Sequence, residues 1–507
     1  MARKPFLLAA TLAAISAIAA AGLPAQQPPS LPPGSPPGTV PPASALPAGA
    51  ATAADAAVGE LRREIARLRS DYEQRIAALE ARLAALAGSS PTMPTAVTIA
   101  ETPPAPVVTA TLAEPAPAAT PAAPVTILSG AAGKNFLNLS LDGLFAAGAS
   151  TASDVGALEP GGHDPAQRGF TVQNVEMVLE GAVDPYFRGQ ANVILQISPE
   201  GESVVELEEA YATSTSLPHG LQLKVGQFFT EFGRLNPSHP HSWDFVDQPL
   251  VNGRFFGGDG LRSVGARVSW LLPTDFYSEA YLAVQNSQGE TLTSFRSVPG
   301  ESLFGREVVD RRVKAFSDLL LAPRYAASFD LTDTQTLLVG ASAALGPNGT
   351  GDDGETRIYG VDGFWKWKAA NAFKGFPFVK VQGELMYRDL VADGAPETAQ
   401  ATTRFGDWGG YLQVNWGFRP GYIAGLRVDS VGGDTGTTGA GDGGGNPDAA
   451  ALAQRFRLSP VLTWLPTEYS KLRLQYNFDR GDAWTADEHS LWLQLEFLLG
   501  AHSAHKF

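Results

Sequence analysis

Residues 490–507 read SLWLQLEFLLGAHSAHKF. From Leu491 to Leu499 every second residue is Leu or Phe, with Trp492, Gln494 and Glu496 between them. Successive side chains of a β-strand point to opposite faces, so this spacing builds a strand with one apolar face and one mixed face. The same period recurs upstream. NFLNLSLDGLF (135–145) sets Leu137, Leu139 and Leu141 against Asn138, Ser140 and Asp142, and SKLRLQYNFD (470–479) sets Leu472, Leu474, Tyr476 and Phe478 against Lys471, Arg473, Gln475 and Asn477.

Sixteen such segments can be read, starting near residues 135, 169, 187, 203, 221, 260, 276, 319, 335, 355, 377, 406, 421, 454, 470 and 488. Alternating segments of about ten residues are what a transmembrane β-barrel requires, because lipid offers backbone N–H and C=O groups no partner and a closed ring pairs them all. The connections support this independently. One set is tight and turn-rich: VDPY (183–186), SLPHG (216–220), LPTD (272–275), LTDTQ (331–335), RPG (419–421) and LPTEY (465–469). Most of the alternate set is long and polar: 148–168, 230–259, 287–318, 390–405 and the Gly-rich 432–453. Aromatic residues flank the short turns, among them Tyr186, Phe187, Trp270, Phe276, Tyr277, Trp416, Phe418, Tyr422, Trp464 and Tyr469, as in an interfacial girdle. A soluble sandwich gives no reason for turn lengths to segregate this way. The expected fold is all-β, a 16-stranded antiparallel transmembrane barrel over residues 135–507.

The region before it reads differently. Arg3 and Lys4 precede an Ala/Leu/Ile run to Ala21, the layout of a cleavable signal peptide, expected over 1–25. Pro/Ala-rich linkers are expected over 26–57 and 88–134. Between them, Leu61, Ile65, Leu68, Tyr72, Ile76, Leu79, Leu83 and Leu86 form a heptad seam with one stutter, so 58–87 reads as a short α-helical coiled coil that self-associates in the periplasm. The chain has 507 residues, no cysteine, 37 basic and 52 acidic residues, and a formal charge of −15. Disulfides, thiolate metal sites and a cysteine nucleophile are excluded, and no basic face is indicated for nucleic acid. HExxH, GxSxG and phosphate-binding glycine loops are absent, so no enzyme, catalytic residue or cofactor is assigned.

EGAVDPYFRGQANVILQI (180–197), LEEAYATSTSLPHGLQLKVGQFFTEFGRLNPSHPHSWDFVD (207–247) and GAHSAHKF (500–507) together resemble the phosphate-selective porin O/P group of Gram-negative outer membranes. The resemblance covers roughly 135–507 and is most specific in DPYF, LKVGQF and FGRLN. It implies a trimeric sixteen-stranded channel in outer-membrane lipid. It also implies that Phe507, ending the last strand's segment, is the signal read by the barrel assembly machinery. The expected function is passive diffusion of small hydrophilic solutes with a preference for anions, the resemblance adding phosphate as one candidate among them. The rivals are an energy-coupled receptor, which would need about 22 strands, and an envelope tether built on the N-terminal coiled coil.

The loop after the fifth segment, loop 3, carries Arg234, Asn236, His239, His241, Asp244, Asp247 and Arg254, and is expected to fold inward and narrow the lumen. HPH (239–241) with Asp244 and Asp247 offers nitrogen and oxygen donors, but hydrogen bonds from loop to wall are the preferred reading and no metal is assigned. On the polar strand faces, Arg427, Arg455, Arg457, Lys471 and Arg473 form a basic arc, with Lys224 and Arg267 as further basic lining residues. Glu176, Glu180, Glu206 and Glu208 form an acidic wall expected opposite that arc, imposing a transverse field. Loop 3 itself is mixed in charge and has no lysine, unlike the dense basic ladder that the resemblance implies.

Overall fold

The computed structural model describes residues 125–129 and 136–500, apart from 159–160, 183, 311, 395–400, 434–451 and 483. The expected signal peptide, the coiled coil and Phe507 lie outside the described residues. Sixteen strands form the ring: β1 (Phe136–Ser150), β2 (Gly169–Ala182), β3 (Phe187–Ile197), β4 (Ser203–Ser214), β5 (Leu221–Phe229), β6 (Arg262–Leu271), β7 (Tyr277–Asn286), β8 (Leu319–Thr332), β9 (Gln335–Pro347), β10 (Glu355–Phe373), β11 (Phe376–Ala392), β12 (Thr403–Arg419), β13 (Tyr422–Gly433), β14 (Arg455–Thr467), β15 (Ser470–Gly481) and β16 (Glu488–Gly500). Each pairs antiparallel with its sequence neighbours, and β16 pairs with β1 from Ser490↔Ser150 to Gly500↔Ser140, which closes the barrel. The ring thus has sixteen strands, not the 22 or so of an energy-coupled receptor.

The two faces separate as the alternation requires. Leu491, Leu493 and Leu495 are exposed on the outside of the ring, while Trp492, Gln494 and Glu496 are buried within it. Across the β15–β16 pair, Leu474 faces outward with Leu493, and Arg473 pairs in register with Gln494 on the inside. Aromatic rings gather at the short-turn end: Trp416, Phe418, Tyr422 and Trp464 follow one another at centroid separations of 5.5, 6.2 and 6.4 Å.

A short strand, Val125–Ser129, pairs antiparallel with residues 136–139 of β1, inside the stretch that composition reads as linker. Its position has a physical reason. Among the described residues the last β16 partner in β1 is Ser140, and Val125–Ser129 pairs along the same strand just before it. The VTILS segment is rich in residues suited to pairing there.

Candidate functional site

Loop 3 leaves β5 at Phe229 and returns at Arg262, and its side chains meet the inward faces of β2, β4, β11, β12, β13, β14 and β15. It therefore lies inside the ring. The FGRLN stretch explains how it turns in. Gly233 has a positive φ of 59°, and a Cβ there would collide with the Glu384 carboxylate. That close approach lets Glu384 on β11 accept the backbone N–H groups of Arg234 (3.1 Å) and Leu235 (2.8 Å). Asn236 ties the two ends of the loop together: its Nδ2 donates to the Thr230 and Leu261 carbonyls, and its Oδ1 accepts from the Leu261 N–H at 2.7 Å. Its role is to clamp the loop.

The middle of the loop carries a seven-residue helix, α1 (Leu250–Phe256), capped by Gly257 at φ 90°. Leu250, Val251, Phe255 and Phe256 pack with Leu292 and Phe295 of the 287–318 loop onto Ile358, Met386, Tyr411 and Val431 of β10 to β13. A loop in a wet lumen needs its own apolar core, and this cluster supplies one. Arg254 points from α1 to the Ala453 carbonyl at 2.7 Å.

On one side loop 3 meets arginines. Asp247 accepts from Arg427 Nη2 (2.8 Å), Arg457 Nη1 (2.7 Å), Gln475 and Asn477. Burial alone would favour the neutral carboxyl of Asp247, but Arg427 and Arg457 hold its pKa down to about 2. Arg427 also bonds Asp429 on its own strand, and Arg457 bonds Asp479 on β15. Arg473 donates to the carbonyls of Trp243 and Phe245 and to Glu496, while Lys471 holds the His241 carbonyl (2.9 Å) and Glu496 (2.7 Å). Arg455 reaches the Leu158 carbonyl at 2.9 Å. The arc faces inward, and its charge is spent on anchoring loops and on strand carboxylates.

On another side loop 3 meets carboxylates. His239 Nδ1 lies 2.8 Å from Glu208 and 3.3 Å from Glu176, its Nε2 lies 3.0 Å from Glu209, and His241 Nδ1 lies 2.7 Å from Glu176. Burial disfavours charge on the His239 ring, yet Glu176 and Glu208 raise its pKa well above the ordinary imidazole value; for His241, Glu176 outweighs burial in the same way. Glu209 was missed by period-2 reading because the strand is not regular here. A bulge at Glu208 lets Asn192 pair with Glu209 and Val193 with Leu207, so two consecutive glutamates face inward. His163 of the 148–168 loop joins them at 3.4 Å from Glu208, with nothing local in the sequence to mark it. Glu180 meets Arg188 at 3.5 Å, and Glu206 pairs with Arg262, each apart from the histidine cluster.

The arrangement corrects the expected field. Around the ring only five steps separate β14 from β3, so the basic arc flanks the acidic wall. Eight steps from β3 lies β11. There Lys380 pairs in register with Lys366 of β10, Asp244 of loop 3 binds Lys380, and Arg234 stacks 4.1 Å over Phe364. Lys224 and Arg267 sit on β5 and β6 in register, both bound to Glu231. Beneath loop 3 opens a cavity of about 1060 Å³ lined by the glutamate side, by Lys366, Lys380 and Arg234, and by Trp243 and Asp244.

No family model matches the chain. A protein of Aquifex aeolicus (strain VF5), named only as an uncharacterized protein, is 31% identical over 375 residues, which span 68% of this chain and 73% of that one. Among solved structures, the outer membrane channel DcaP of Acinetobacter baumannii superposes with a TM-score of 0.48 at 12% identity, over 73% of this chain and 100% of that chain. An anion-selective porin from Comamonas acidovorans does so with a TM-score of 0.45 at 9% identity, over 72% and 100%.

Proposed function

The chain belongs to the family of the Aquifex aeolicus protein, and from that premise and the barrel's own geometry we propose that it is an outer-membrane porin, a homotrimer passing small hydrophilic solutes by diffusion. The observation that carries this reading is the pairing of an apolar outer face with a polar interior on a closed ring, crossed by an inward loop. An apolar exterior suits lipid, and a charged interior suits water and solutes. The loop sets the narrowest passage.

Selectivity follows from the charges left to line the cavity. The buried arginines of β13 to β15 are neutralised by Asp247, Asp429, Asp479 and Glu496. The charges that line the cavity include Glu176 and Glu209, which face the loop 3 histidines, and on the side across from them Lys366, Lys380 with Asp244 bound to it, and Arg234 of loop 3. Lys366 faces the cavity in register with Lys380, which Asp244 binds; like charges in register repel, and an anion beside Lys366 relieves that repulsion. Anions are favoured on this wall; phosphate is one member of the class.

Single-channel current of the purified protein in a planar bilayer, under a salt gradient, tests both levels. The zero-current potential should have the sign of anion preference, and Lys366→Glu with Lys380→Glu should move it toward cations. Added phosphate that blocks chloride current would extend the reading to phosphate. A stepwise current with no ion preference, or one unmoved by the double substitution, would overturn the lysine wall as selector. A folded protein that carries no current would overturn the porin reading.

A further inference from the structure

The histidine–glutamate cluster that fastens loop 3 to β2 and β4 has a geometry that ion pairing alone leaves unbalanced. His239 presents one nitrogen, Nδ1, to two carboxylates at once, Glu208 at 2.8 Å and Glu176 at 3.3 Å. A single N–H cannot satisfy both. The ring's other nitrogen faces Glu209 at 3.0 Å, so a metal ion that replaced the Nδ1 proton would leave the proton on Nε2 held by Glu209 and the Nδ1 lone pair aimed between Glu176 and Glu208. Asn192 Nδ2 donates to Glu176 Oε1 at 2.6 Å and holds that carboxylate in place. Asp142 adds more negative charge: it pairs in register with Glu176 across β1 and β2, is 5% exposed, and neither of its oxygens has a hydrogen-bond partner among the described residues. Carboxylates facing one another on adjacent strands in a buried setting call for a cation between them.

We propose that Glu176, Glu208 and His239 bind a divalent transition-metal ion of the Zn²⁺ type, which ties loop 3 to the barrel wall. One donor atom from each lies within 4.8 Å of the others. Donors about 2.1 Å from a shared ion stand roughly 3.0–3.4 Å apart, so the observed 2.8 and 3.3 Å need little adjustment. One imidazole with two carboxylates is a donor set suited to Zn²⁺ and its neighbours rather than to Mg²⁺, which prefers oxygen and water. Glu209 supplies the carboxylate–histidine–metal relay that orients such ligands. His241, at 2.7 Å from the second oxygen of Glu176, stands next to the ion. Glu176, His239 and His241 line the cavity beneath loop 3, which gives a solute ion its path.

The test is calorimetric titration of the detergent-solubilised, chelator-treated full chain with ZnCl₂, with MgCl₂ in parallel. The expected result is one Zn²⁺ per chain, at least tenfold weaker in His239→Gln and in Glu208→Gln, with Mg²⁺ not competing. Heat-dependent gel mobility checks that each variant keeps its barrel. Zinc-edge X-ray absorption on the unmodified protein needs no variant: scattering from an imidazole in the first shell supports the site, and a shell of oxygens alone overturns it. Failure to bind Zn²⁺, or equal binding by the folded variants, also overturns it and leaves the porin reading untouched.

Discussion

Loop 3 is fastened at two places by opposite chemistry. At β13 to β15 it offers a carboxylate, Asp247, to two guanidinium groups; at β2 and β4 it offers imidazoles to carboxylates. Both anchors are buried. The first is charged under all ordinary conditions, since arginine keeps its proton and Asp247 is held ionised by its partners. The second is built from groups that protons or metal ions can alter. The difference teaches that inward-facing charge is not the same as pore-lining charge. The arc that reads as a solute ladder is largely an anchor, and Lys366 and Lys380, which line the cavity, lie on the wall across from the glutamates.

The largest effect that would break this comparison is expected from Asp247→Ala. It leaves Arg427 and Arg457 buried without their shared acceptor, a cost of about 3–5 kcal/mol for removing one partner of a buried pair. Limited proteolysis should then cut within 230–261, and single-channel current should become larger and noisier. A loop as protected as in the unmodified protein would show that the arginine anchor is dispensable. A smaller loss, about 1–3 kcal/mol, is expected from Glu208→Gln, because His239 retains Glu176 and Glu209. Ranking the two by the same protease assay sharpens the contrast; the reverse order would mean that the histidine anchor dominates.

A third contrast concerns Asp164, which joins the first long loop to loop 3 by accepting the Gln248 N–H at 3.0 Å. Burial, and then the nearby Asp247, push its pKa from 3.8 to about 7. The folded state thus holds a proton that the unfolded chain has lost between about pH 4 and 7. The stability tied to it is complete below pH 4 and falls as pH rises through 7. The temperature of heat-dependent mobility change should be lower at pH 8 than at pH 5, and Asp164→Asn should flatten that dependence. An unchanged slope in the variant would assign the pH response to other groups.

Much of the fold was legible because a barrel strand in lipid has only one workable pattern. Each of the sixteen starts read from alternation falls within three residues of a strand start, the largest offset being Thr403 against 406. Leu491 and Leu493 had to point out and Gln494 in once the strand existed. Position in the sheet was legible too, through the alternation of short and long connections. The short strand at Val125–Ser129 was not, because its pairing to residues 136–139 is a tertiary contact that no period in a Pro/Ala-rich stretch announces.

The site was legible only in its residue types. Sequence by itself determined that loop 3 is long, mixed in charge and bordered by inward arginines and glutamates, since local period and composition fix the face of each side chain. Which charges meet was decided by tertiary structure. Asp247 finds Arg427 and Arg457 across 180 and 210 residues, Glu209 turns inward through a bulge, and His163 arrives from another loop. No periodicity encodes these meetings. They follow from closing the ring, which sets β3 across from β11 and β14 only five steps away, and from the rule that each charge drawn into that interior must find a partner there.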